Sequence, residues 1–295
     1  MGELAALVTS VCWTFTGIFF TFAGRQVGSV VVNRTRLVFA VLFLTVTHQV
    51  VAGYPLPLDA EPERWFWLGL SGIIGLVIGD AALFQAFVLI GPRISTLMMA
   101  LVPVISTMLA WVTLNERLNT PQLIAVGLTV GGIAWVVLER GNGTTPGGER
   151  RYGWGILFGL VGAVGQAVGL ITAKKGLAGG FSPLSGVLIR MVIAMAVLWT
   201  FTALRGQVRP SLRALRNRRA LAAIAGGAIV GPFLGVWSSL IAVSLTDVGI
   251  ASTLMALPPV FLLPVGRWLY HERITARAVL GTGMAMAGVA MIFLL

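Results

Sequence analysis

The sequence predicts an all-α integral membrane protein of ten transmembrane helices, arranged as two five-helix halves of opposite orientation. Three observations carry this. Apolar runs long enough to cross a bilayer, about 20 residues each, recur along the whole chain with short polar breaks between them. Of 295 residues 57% are hydrophobic and 11% charged, where soluble domains carry roughly 25% charged residues. The sequence also repeats itself at an offset of 156 residues, the separation of Gly75 and Gly231.

Helices are expected at 3–23, 31–52, 65–90, 94–114, 121–138, 153–175, 184–204, 219–243, 249–270 and 275–294. The chain opens Met1-Gly2-Glu3 without the basic region of a secretory signal, and position 6 is Ala where myristoylation requires Ser or Thr. The first run is therefore read as a retained helix. It holds the only cysteine, Cys12, as a small buried hydrophobe. Turn residues mark the breaks: Gly53-Tyr54-Pro55-Leu56-Pro57, Gly91-Pro92, Asn119-Thr120-Pro121 and Phe181-Ser182-Pro183. A glycine-rich linker, 139–152, separates a first repeat, 1–138, from a second, 153–295. The arginine-rich stretch 205–218 reads as an amphipathic segment lying at the lipid surface.

At the 156-residue offset Gly79 falls on Gly235, Ala86 on Ala242, Pro103 on Pro259, Glu116 on Glu272, Gly127 on Gly283 and Gly132 on Gly288. Two residues less align Arg36 with Arg190 and Ala40 with Ala194. A half with an odd number of crossings ends on the side opposite to its start, so its copy inserts upside down. Such inverted halves can exchange roles around a site at their interface, which is the basis of alternating access.

Composition also excludes. The formal charge of +11 comes from Lys and Arg lying between apolar runs rather than over one solvated face, so it reads as a topology signal and not as a nucleic-acid surface. One cysteine allows neither a disulfide framework nor a multi-cysteine metal site. No HExxH, GxSxG or Walker motif is present, so neither an enzyme nor a cofactor is expected. Glycines spaced by four, such as Gly75/Gly79, Gly165/Gly169 and Gly227/Gly231/Gly235, let transmembrane backbones approach closely.

Ionisable groups at membrane depth are costly and mark function or pairing. Asp80 is the one acid in the middle of an apolar run, and its counterpart in the second half is Val236. It is read either as a substrate- or proton-binding group or as half of a structural ion pair with Arg36 or Arg190. Arg36 and Arg190 stand near helix starts, from which long side chains can snorkel to the interface or receive a substrate carboxylate. Gln85, Gln166 and Asn33 are candidates to line the path, and Trp13 and Trp237 lie too deep for the interfacial belt. If those rings face the path, Arg for a carboxylate and Asp for an ammonium group read as an amino-acid site. Glu116 and Glu272, beside Arg117 and Arg273, are read as turn-stabilising and gating pairs.

The segments Leu101-Val102-Pro103-Val104 through Leu114-Asn115-Glu116-Arg117-Leu118, then Gly127 and Gly132, resemble the proline-to-glutamate signature of the drug/metabolite transporter superfamily, in its ten-helix branch with two EamA domains. Leu257-Pro258-Pro259-Val260 through His271-Glu272-Arg273-Ile274, then Gly283 and Gly288, resemble its second copy. The resemblance implies a secondary transporter of a small metabolite in the cell membrane, with export of amino acids or related compounds as the leading activity, and a full inverted pair within one polypeptide predicts a monomer. Drug or cation efflux by proton antiport is the alternative, and a non-transporting receptor or structural protein the alternative of another class. Charge favours odd-numbered loops in the cytoplasm: Arg25, Arg93, Arg140 and the 205–219 arginines outweigh Arg64, Arg117, Lys174 and Lys175. The resemblance implies the reverse, with both termini cytoplasmic.

Overall fold

The computed structural model describes residues 1–114, 120–138, 148–245, 254–269 and 274–294, and among them every regular element is helical. Glu116, Glu272 and most of the linker lie outside the described residues.

Helices α1 (Gly2–Val27) and α2 (Ser29–Ala52) meet at Gly28. Its φ of 88° makes a corner that costs glycine little and a side chain much. Both helices therefore run further toward each other than hydropathy suggested, because helical hydrogen bonds continue through Arg25 and Gln26. The third crossing is built from α3 (Pro62–Ser71), a π-helical stretch (Gly72–Gly79) and α4 (Asp80–Met98). Gly91, at φ 80° and ψ 167°, breaks α4 ahead of Pro92, as the turn residues predict. Where one helix over 94–114 was expected, α4 stops at Met98 and α5 (Leu101–Leu114) begins after a turn. Pro103 falls in the first turn of α5, where its missing N–H has no helical partner to lose.

The order continues with α6 (Thr120–Leu138), α7 (Gly148–Gly176), α8 (Pro183–Leu204), α9 (Val208–Ala214) and α10 (Arg218–Ala228). The Ser182 hydroxyl caps α8, and the Asn217 carboxamide oxygen accepts the Ala220 N–H at 3.1 Å to cap α10. A second π stretch (Ile229–Gly235), α11 (Val236–Leu245), α12 (Pro258–Leu269) and α13 (Ala276–Leu294) follow. Pro259, second in α12 after a turn, lies like Pro103 in the first turn of its helix. The short helix α9 realises the amphipathic segment: Arg205, Arg209, Arg213, Arg216, Arg218 and Arg219 in and around it are all exposed. Seven helical stretches among the described residues are long and apolar enough to cross a membrane, Pro62–Met98 counting as one although Gly91 divides it.

Glycines decide how the helices meet. A Cβ on Gly165 would stand 2.7 Å from the Cα of Gly79, and one on Gly169 would stand 3.0 Å from that of Gly75, so α7 crosses the first π stretch in antiparallel backbone contact. Helix α1 crosses the second π stretch in the same sense, Thr16 facing Gly231 and Trp13 facing Gly235. Between α6 and α13, Gly132 meets Gly281 and Ala285, while Gly288 meets Ala125 and Thr129. In the α6–α13 pair each contact has its mirror at the 156-residue offset, 132 with 281 and 285 answering 288 with 125 and 129. Helices α2 and α8 share a core in which Leu37, Ala40 and Leu44 pack with Met191, Ala194 and Leu198, again counterpart residues.

Candidate functional site

Between α2, the first π stretch, α7 and α8 lies a cluster of polar side chains in an otherwise apolar interior. The π register shapes it. The Asp80 N–H bonds back to the Gly75 carbonyl, five residues earlier, and this winding leaves carbonyls available to side chains. Gly75 O also accepts the Gln166 carboxamide N–H at 3.2 Å, and Leu76 O accepts from Asn33 Nδ2 at 3.1 Å. The glycines at 75, 79, 165 and 169 bring α7 near enough for Gln166 to reach.

Asp80 is held from both sides. Its Oδ2 pairs with Arg36 Nη2, and its Oδ1 accepts from Gln166 Nε2. Arg36 also donates its Nε to Asn33 Oδ1 at 3.1 Å, and its guanidinium stands 4.9 Å from the centre of the Phe84 ring. The Arg36 and Asp80 side chains are 4% and 9% exposed. A buried carboxylate so placed is neutralised by one charge and two directed donors, which offsets the cost of removing it from water.

Arg190 sits on α8 at the position matching Arg36 on α2. Its backbone carbonyl lies against Gly72, where a Cβ would approach to 2.5 Å, and its Nη2 is 3.6 Å from where a Cβ on Gly75 would stand. Asp80 feels its charge but does not pair with it, and Nε of Arg190 is buried without a hydrogen-bond partner.

The structure separates the candidates in space. Arg36 does not snorkel: it is the ion-pair partner of Asp80, because the one-residue corner at Gly28 places Arg36 two helical turns inside α2. Gln85 stands apart from the cluster and accepts the Ser29 hydroxyl at 2.5 Å, since five residues carry it off the face of Asp80. Trp13 and Trp237 are also outside the cluster, 37% and 39% exposed. Trp13 covers Gly235, and Trp237 packs on Phe233 with ring centres 5.9 Å apart. Pro103 and Pro259 lie in the first turns of helices α5 and α12.

Two buried polar residues escaped the sequence reading. Arg34, 4% exposed, donates to the Thr202 hydroxyl at 3.1 Å, and its carbonyl accepts the Trp199 indole N–H at 3.2 Å, which ties α2 to α8. His48 is fully buried between the Tyr54 carbonyl, 2.7 Å from Nδ1, and the Ser185 hydroxyl, 2.9 Å from Nε2. A histidine inside an apolar run was the available signal. Among the described residues no group of His, Cys, Asp and Glu could hold a metal ion.

Helices long and apolar enough to cross a membrane, seamed by glycines around a buried, paired carboxylate, define an all-helical membrane protein among the described residues. The chain belongs to the EamA-like transporter family, whose model matches residues 1–138 and 153–294. It is thus a transporter of the drug/metabolite type. No curated protein matches the chain significantly. Among solved structures, one crystal structure of a protein at 15% identity superposes with a TM-score of 0.65 over 99% of this chain and 96% of the other, which shows a shared fold.

Proposed function

We propose that the protein is a secondary transporter that moves a small metabolite by alternating access between two inverted five-helix repeats, 1–138 and 153–295, with ten crossings in all. The α6–α13 contact supports the inversion. Residue 125 faces 288, 129 faces 285 and 132 faces 281, so the pair is antiparallel and self-complementary about a two-fold across the helices, as expected when one half is the other turned over. The single observation that carries the site is the pairing of Asp80 with Arg36 and Gln166 at a π stretch where elements of both repeats meet. Ion pairs that hold one arrangement in a buried crossing, and whose partners can be exchanged, are suited to gating.

The compounds expected are amino acids and related metabolites, exported across the cell membrane by a monomer. Drug or cation efflux by proton antiport is the competing activity, and there Asp80 would be the proton carrier. Reconstituted protein tested for ATP-independent flux against amino acids, other carboxylates and cationic drugs decides between them. Flux of no compound, or flux that needs ATP, would overturn the proposal. A flux unchanged in a well-folded Asp80→Asn protein would remove Asp80 from the pathway and leave it a purely structural partner.

A further inference from the structure

The polar cluster is unequally charged. It holds two guanidinium groups and one carboxylate, and both oxygens of that carboxylate are taken, one by Arg36 and one by Gln166. Each oxygen of Asp80 thus already accepts one bond within the protein, and at 6% exposure the residue offers an incoming ammonium group little access. Arg36 is engaged by Asp80, Asn33 and Phe84. Arg190, by contrast, makes no side-chain hydrogen bond to any described residue and keeps its Nε buried without a partner. The second half carries Val236 where the first carries Asp80, so the acid that would answer Arg190 by symmetry is missing. A guanidinium whose Nε is buried without an acceptor is costly, and an anion with two coplanar oxygens relieves it best.

Arg190 reaches the helix crossing itself: its Nη2, the Gly169 Cα and the Gln166 carboxamide oxygen stand 3.6, 3.7 and 3.8 Å from where a Cβ on Gly75 would be.

We infer that Arg190 is the recognition group for the carboxylate of an organic anion, and that Asp80 is an internal counter-ion to Arg36 rather than the seat of a substrate ammonium group. This rests on the reading that the cluster lines the transport path. It narrows that reading to substrates that must carry a carboxylate and need not carry an amine. An amino acid then binds through its carboxylate alone, and its N-acylated derivative binds equally well.

The experiment is thermal unfolding of the full-length protein in detergent at constant pH and ionic strength, with N-acetyl-leucine, leucine and leucinamide as probes. N-acetyl-leucine and leucine are expected to raise Tm in a saturable way, and leucinamide to leave it unchanged. Arg190→Gln abolishes the rise, and Arg190→Lys weakens apparent affinity about tenfold or more by replacing a fork with a point charge. Arg190→Met is likewise expected to abolish the rise, and because it leaves no buried donor unanswered it gives the same reading if Arg190→Gln fails to fold. A Tm rise with leucinamide equal to that with N-acetyl-leucine, a carboxylate effect that survives both variants, or no rise with any carboxylate overturns the inference. The reading beneath it fails separately: in that case Asp80→Asn, Arg36→Gln and Arg190→Gln proteins, each folded, transport at the wild-type rate whatever the compound.

Discussion

Replacing Asp80 with asparagine tests how the buried cluster is held. The wild-type carboxylate is 9% exposed and faces Arg36, itself 4% exposed, with Gln166 on its second oxygen. The carboxamide introduced by Asp80→Asn keeps one acceptor oxygen, so one of these bonds survives. The negative charge is gone, however, and Arg36 remains buried with only Asn33 and the Phe84 face to answer it. Removing one partner of a buried pair costs about 3–5 kcal/mol. The lower end applies here because the substitution is isosteric and an acceptor remains. With roughly 2–4 °C per kcal/mol for larger domains, Tm should fall on the order of 10 °C. Adding Arg36→Gln removes the orphaned charge, and the double variant should recover a coupling energy of about 1–3 kcal/mol. Arg190→Gln added to Asp80→Asn should recover less, because Arg190 does not pair with Asp80. Thermal unfolding of purified protein in detergent reads all three. An Asp80→Asn protein with wild-type Tm would refute the argument, as would equal rescue by the two arginine substitutions.

The α6–α13 seam predicts a matched pair of effects: Gly132→Val and Gly288→Val each drive a side chain onto backbone atoms 2.6 Å away and should cost about 3 kcal/mol or more by overpacking. Their counterparts nearby, Gly127→Ala and Gly283→Ala, meet nothing within 4 Å and should stabilise the helices by about 0.5–1 kcal/mol, all four being read by unfolding in detergent. Ser185→Ala leaves the buried Nε2 of His48 unanswered and should lower stability by about 1–3 kcal/mol, whereas exposed Ser182→Ala beside it loses only a cap. For orientation, Leu212→Cys in a Cys12→Ala background offers an exposed thiol among the arginines near α9, Ser211 being buried. The positive-inside rule expects a membrane-impermeant maleimide to label it only after permeabilisation, and labelling of intact cells would place that end outside.

What was legible in one dimension was what hydropathy, composition and self-similarity encode. The helical membrane class follows from apolar runs, and the corners at Gly53 and Gly91 follow from turn residues. Asp80 stood out because an acid inside an apolar run is visible without coordinates, and the correspondence of Arg36 with Arg190 followed from the offset of the repeat. Both arginines were thereby candidates for the same partner. Choosing between them needed the structure, because pairing depends on which helix faces turn toward each other across crossings tens of residues apart. Arg36 reaches Asp80 because α2 begins right after Gly28 and packs on the first π stretch; Arg190, at the equivalent place, is held by its backbone against Gly72 and makes no salt bridge with Asp80. Gln166 joins the site and Gln85 does not, because glycines bring α7 within reach while a five-residue step turns Gln85 away. The π stretches themselves left no mark on hydropathy, since they change which carbonyl each N–H finds and not which residues are apolar. The sequence by itself determined the solvent the chain folds for and the repetition of its parts; tertiary packing alone decided which of the two matched arginines pairs with Asp80, because hydrogen-bond satisfaction in lipid depends on geometry within a few ångströms.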